Sequence, residues 1–126
     1  MSTARFNTLQ NAAGSKSVPV DTVVDGSAKA WVNFNGTGTV AIRAAFNVSS
    51  ITDNGSGDYT VNFTTSLVDV NYAAVVMAGG SGTAALGNAT IGWAAVNTVN
   101  SVRIGVSDNN TDANFDASNI SVAIFR

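Results

Sequence analysis

The sequence predicts a small antiparallel β-sandwich or jelly roll of about eight strands, preceded by an extended N-terminal arm. Three observations carry that prediction. Residues 59–64 alternate strictly, so Tyr59, Val61 and Phe63 share one face while Thr60, Asn62 and Thr64 share the other. Leu occurs only at positions 9, 67 and 86 and Glu is absent, whereas Val, Ile, Thr and aromatic residues are kept. That is a strand-forming composition. Turn-forming residues recur at short intervals from Ala28 onward, the pattern of a sandwich or barrel. A length of 126 residues fits a single domain.

Residues 1–27 read as a docking and assembly arm, and residues 28–126 as the sandwich. Ser2 to Ala13 has no clear period, and Gly14-Ser15-Lys16-Ser17 is a loop. Val18 to Val24 is expected to be extended, because Pro19 biases the residue before it away from the helical region. Asp25-Gly26-Ser27 then punctuates the chain. Phe6, Leu9, Val18, Val20 and Val23 are the apolar side chains of the arm. With no turn-back signal before Asp25, they cannot form a core of their own. Another chain is expected to accept them.

Strands are expected at about 28–34, 39–46, 47–53, 58–65, 70–79, 89–97, 100–107 and 118–125. Asn35-Gly36, Gly79 to Gly82 and Ser107 to Asn110 mark turns. Asp53-Asn54-Gly55-Ser56-Gly57-Asp58 joins two strands as a hairpin, with Gly55 and Gly57 supplying positive φ. Phe46-Asn47-Val48 alternates, but Val48-Ser49-Ser50-Ile51 loses the phase. A bulge near Ser49–Ser50 would restore it. Val102, Ile104 and Val106 share one face, as do Ile120, Val122 and Ile124, so both late strands are half buried.

AKAWVNFNGTGTVAIR, then FNVSSITDNGSGDYTVNF, then Asn71-Tyr72-Ala73 resembles a module of bacteriophage tail-fibre and related virion appendage proteins of the marine-phage type. The resemblance runs from about Ala28 to Ala74, and Phe6-Asn7-Thr8-Leu9-Gln10 looks like the segment that often precedes it. Where many relatives carry a Pro before the Asn-Tyr pair, this chain has Ser66 to Val70, and the likeness ends near Val76. The resemblance implies a homotrimer located in the virion, attached to other virion proteins and able to bind host-surface glycan.

Composition narrows the chemistry. With no His and no Cys, no triad or dyad needing an imidazole or thiolate can form, and disulfides are excluded. Paired carboxylates could hydrolyse a glycan, but the Asp residues sit mostly in turns, so no enzyme is expected. Gly80-Ser81-Gly82-Thr83-Ala84-Ala85 has the GxGxxA spacing of a dinucleotide loop, yet Gly87-Asn88 interrupts the helix it would need. Asp108-Asn109-Asn110-Thr111-Asp112 opens like a calcium loop, but Ala113 and Asn119 stand where Gly and Glu are required. An ordinary solvated turn is expected, with no metal and no cofactor.

A formal net charge of −2 gives no reason to expect nucleic acid. No apolar run approaches about 18 residues and Met1 to Arg5 lacks a signal-peptide layout, so a soluble product made in the host cytoplasm is expected, with no membrane insertion. Charged residues are only 11%, and much of the 45% hydrophobic fraction is Ala. One subunit would therefore have a thin core, for which association of subunits is the simplest remedy.

Trp31 points away from Ala30, Val32 and Phe34, as a core residue of another layer or a subunit-interface anchor. Trp93 is flanked by small residues; a lone strand Trp is more often buried than presented, although beside Asn and Asp it can stack on sugar. The candidate ligand residues are Trp93, Asn97, Asp108, Asn110 and Asp112. The expected function is a tail-fibre or appendage subunit whose late loops are available to host glycan. The alternative is a capsid-decoration protein that clasps the shell through its arm.

Overall fold

Eight strands stack as two four-stranded antiparallel sheets in the computed structural model, which describes residues 1–79, 90–108 and 111–126. They are β3 (Ala28–Asn35), β4 (Ala41–Phe46), β5 (Val48–Gly55), β6 (Asp58–Phe63), β7 (Ala73–Gly79), β8 (Thr90–Asn97), β9 (Ser101–Asp108) and β10 (Asn119–Phe125). One sheet has the order β4-β3-β10-β7 and the other β5-β6-β9-β8. The hairpins β3–β4, β5–β6 and β8–β9 each stay within one sheet, so the architecture is a sandwich rather than a jelly roll. Every strand expected from the sequence is present, with ends shifted by three residues at most.

The core lies between the sheets and follows the period-2 pattern. Ala30, Val32 and Phe34 of β3 and Ile120, Val122 and Ile124 of β10 face Tyr59, Val61 and Phe63 of β6 and Val102, Ile104 and Val106 of β9. Phe34 and Tyr59 meet edge to face with centroids 5.2 Å apart, as do Phe63 and Tyr72 at 6.0 Å.

Polar atoms lock the core at one end. The fully buried Tyr59 donates its hydroxyl to Asp116 Oδ1 at 2.8 Å and lies 3.2 Å from Gly36 O. Asp116 Oδ1 also accepts the Gly57 N–H at 2.8 Å. This clasp joins the β5–β6 turn, the segment before β10 and the end of β3, and so ties the two sheets together. Burial, followed by the Asp116 carboxylate, pushes the Tyr59 phenol well above its ordinary range.

The hairpin β5–β6 carries the expected bulge, with its register shift between Val48 and Ser50. A second shift lies between Asp53 and Gly55. Gly55 and Gly57 take positive φ, 134° and 63°. At Asn47 (φ 53°) the chain passes from one sheet to the other. Its side chain accepts the Thr65 N–H at 2.7 Å and donates to Lys29 O and Thr65 O at 3.1 Å.

The arm departs from the sequence expectation. It turns back as a hairpin of β1 (Thr8–Gln10) with β2 (Ser17–Pro19), followed by the helix α1 (Val20–Gly26). Asn11 and Gly14 supply the missed turn. Gly14 has φ 66° and donates to Asn11 O at 2.9 Å, while Asn11 Oδ1 accepts the Lys16 N–H at 3.0 Å. Val18 is extended as expected, but the prediction failed for 20–24. Pro19 cannot sit inside a helix yet is well suited to its entry, and Asp21 in the first turn favours the helix dipole. Phe6, Leu9, Val23 and Val24 are exposed, whereas Val18 and Val20 are half buried. No helix among the described residues is long and apolar enough to cross a membrane.

Candidate functional site

The two outer faces of the sandwich are chemically opposed. On the β4-β3-β10-β7 sheet, registry places Phe46, Trp31, Ala123 and Val75 side by side, one from each strand. Ala44, Asn33, Ser121 and Met77 form the next row. Trp31, Phe46, Val75 and Met77 are all exposed, Met77 to 69%. A shallow apolar hollow lies between Trp31, Val75, Met77 and Ala123.

The edge strand β4 extends this surface around the side of the sheet. All six of its residues are exposed. Ala45 and Ile42 pair with the buried Val32 and Phe34, so they point to the inner side, yet no strand among the described residues covers them and both are exposed. Among the described residues the sandwich is open along β4, and no strand pairs with its outer backbone edge.

The outer face of β5-β6-β9-β8 is largely polar, with Trp93 and the exposed Val96, opposite Arg103, as its apolar members. Asn62 Nδ2 donates to Ser50 Oγ and Thr52 Oγ1, and Asn54 Nδ2 donates to Thr60 Oγ1 and Asp58 Oδ1. Arg103 grips Asp58 with both arms of its fork, Nε to Oδ1 at 2.9 Å and Nη2 to Oδ2. The Arg103 hydrogen bonds hold the Asp58 carboxyl below its ordinary range. Trp93 stands opposite Gly105, and its six-membered ring fills the space a side chain there would take: an added Cβ would lie 2.0 Å from Cζ2. The indole is half buried in this way, on the outside of the sheet and not in the core.

The five ligand residues expected from the sequence do not form one cluster. Asn97, opposite Val102 at the far end of β8, donates to Val70 O and Tyr72 O at 3.4 Å. Asp108 lies at the other end, opposite Thr90. Its carbonyl accepts the Asp112 N–H at 2.8 Å, and Asp112 has φ 54°. Asn110 lies outside the described residues, as does the Gly80–Ala85 motif. No group of three or more carboxylates gathers among the described residues.

Sequence reasoning missed Asp58, Thr60 and Arg103 on one face, and Phe46, Val75 and Met77 on the other. A signal existed for the last two. Residues 73–78 are apolar on both strand faces, the mark of a strand covered on both sides. Comparison of the chain with protein-family models, curated proteins and solved structures finds no match.

Proposed function

We propose that this protein is a structural virion subunit of a bacteriophage, a tail-fibre or appendage module that self-associates as a homotrimer. The observation that carries the reading is the apolar face of Trp31, Phe46, Val75 and Met77, continuous with the open strand β4. Monomeric proteins rarely leave such a surface to water, and a naked edge strand invites pairing. A second copy is the occupant argued for, because Ile42 and Ala45, on the inner side of β4, are left exposed by the described residues of one chain. The virion setting and the number three come from the resemblance over Ala28 to Ala74.

Sedimentation velocity at micromolar concentration tests the assembly. The expected result is one species of three times the chain mass, shifted to a folded monomer by Phe46→Asp with Met77→Asp. A well-folded wild-type monomer would end the idea. A second reading, a capsid-decoration protein, is favoured by the arm, whose elements pack chiefly on one another and leave Phe6 and Leu9 exposed. Electron microscopy of virions with a C-terminal label separates the two: label at the tail supports the appendage, label over the shell the decoration protein.

A further inference from the structure

We infer that Asn54, at the tip of the β5–β6 hairpin, is a site of self-modification, where the Gly55 nitrogen closes on the Asn54 side chain and converts it to aspartate and isoaspartate. The identical dipeptide Asn35-Gly36 is held against the same reaction. Nothing in this depends on the assembly reading, which rests on β4 and the apolar face.

The chemistry needs a main-chain nitrogen that can reach the amide carbon of the preceding Asn. That nitrogen loses its proton and attacks Asn Cγ. The new N–C bond closes a cyclic imide, and Nδ2 leaves as ammonia with the proton. Water then opens the imide at either C–N bond. Cleavage at Cγ yields aspartate, and cleavage at the main-chain carbonyl yields isoaspartate, whose chain runs through the side-chain carbon. A side chain on the following residue crowds the attack, so Gly is the most permissive neighbour. Asn precedes Gly only at positions 35 and 54 of this chain.

The fold treats the two pairs oppositely. Asn54 is the extra residue of a bulge: Asp53 pairs with Tyr59 and Gly55 with Asp58, which leaves Asn54 with no residue opposite. Residues 52–56 are all exposed. An added Cβ at Gly55 meets nothing within 4 Å, so the peptide unit joining it to Asn54 has room to turn. The Gly55 N–H donates to Asp53 Oδ1 at 3.0 Å, an exposed side chain that water can replace. Asn54 Nδ2 donates to Thr60 Oγ1 at 2.9 Å and Asp58 Oδ1 at 3.3 Å, surface bonds that cost little to exchange for water. Gly36, by contrast, is buried, and its N–H donates to Ala117 O at 2.9 Å. Asn35 Nδ2 donates to Thr37 O at 2.7 Å, while its Oδ1 accepts from Thr37 Oγ1 at 2.8 Å. The Tyr59 hydroxyl and Ala117 O crowd Gly36, so its peptide cannot turn without parting the sheets.

The product alters the hairpin tip. An ionised aspartate at 54 has no proton to donate to Asp58 or Thr60, and it adds a carboxylate beside Asp53 and Asp58. Isoaspartate also lengthens the main chain inside the bulge. Each molecule thus carries a one-way record of its age at this turn.

The test is peptide mapping by mass spectrometry of the full chain, fresh and after weeks in mildly alkaline buffer at physiological temperature. Trypsin cleavage at Arg43 separates the two pairs, and fragmentation assigns the residue. The peptide holding Asn54 should gain the mass difference between an amide and an acid at that residue and split into two chromatographic products. Asn35 should convert at least about tenfold more slowly. In guanidinium chloride, where no fold protects either pair, the two should convert at similar rates. Asn54→Gln, whose longer side chain closes the ring poorly, should abolish the gain at 54. Asn54 unchanged in the folded chain while the denatured chain converts would overturn the inference. So would equal conversion of Asn35 and Asn54 in the folded chain.

Discussion

Gly36 has no room for a side chain, because an added Cβ would meet the Tyr59 hydroxyl at 2.5 Å and Ala117 O at 2.9 Å. The Tyr59 hydroxyl belongs to the clasp and Ala117 O accepts the Gly36 N–H at 2.9 Å, so neither can yield without opening the link between the sheets. Gly36→Ala is expected to cost about 1–3 kcal/mol in urea unfolding. Tyr59→Phe keeps the ring packing but removes the donor to Asp116, an expected loss of about 1–2 kcal/mol. It should also flatten the alkaline limb of the stability curve. The phenol ionises near pH 10 in the unfolded chain and higher in the folded one, so its contribution is present below about pH 10 and falls as pH rises further. The raised phenol of Tyr72, also caused by burial, leaves part of that slope in place. At the acid end the sign reverses. Asp58 and Asp69, paired with Arg103 and Arg126, have carboxyls held below the ordinary 3.8, so their contribution is complete above that value and is lost as pH falls through the folded values. Urea midpoints measured downward from about pH 5 should decline more steeply in the wild type than in Arg103→Gln. The sequence shows Asn35-Gly36 as a turn, but not that Gly is obligatory there. That requirement comes from Tyr59 and Ala117, residues brought together only by the fold.

The strands were legible because each carries its own evidence. Alternation fixes the buried face of β6, β9 and β10, and the lost phase at Val48–Ile51 locates the β5 bulge. Gly55 and Gly57 were also legible, yet their surroundings differ. A Cβ at Gly55 meets nothing within 4 Å, whereas one at Gly57 would lie 2.4 Å from Val106 O. Replacing both with Val should lower the melting temperature by several degrees, with Gly57→Val alone producing most of the loss; an unchanged melt would show the turn to be a loose loop. Strand order and registry were not legible, since they depend on contacts distant in sequence. The packing of Trp93 over Gly105 therefore could not be found, although each residue was in view. The arm failed for a local reason. Four valines around one Pro resemble a strand, but Pro19 at the entry and Asp21 in the first turn are helix-start residues, and they prevailed over β-branched propensity.

At the scale of the molecule, an apolar face, a largely polar face and a separate arm divide the surface of the described residues. Deleting residues 2–24 is expected to leave the sandwich folded, because no arm residue enters its core. Circular dichroism and melting should match the full chain, while incorporation into particles is lost. Normal copy number in particles would make the arm a passive tail. The sandwich itself starts and finishes at one place: Ala28, the first residue of β3, pairs with Phe125 at the end of β10. These two strands are central, adjacent and antiparallel. Tension applied through the two ends would thus open their hydrogen bonds one after another, as a zipper opens, instead of shearing them together. In a single-molecule pulling experiment the sandwich should yield at lower force when held at residues 28 and 125 than when held at residues 28 and 35, the two ends of β3. A fibre built from such units would transmit mechanical load sideways, from subunit to subunit, and leave the polypeptide ends slack.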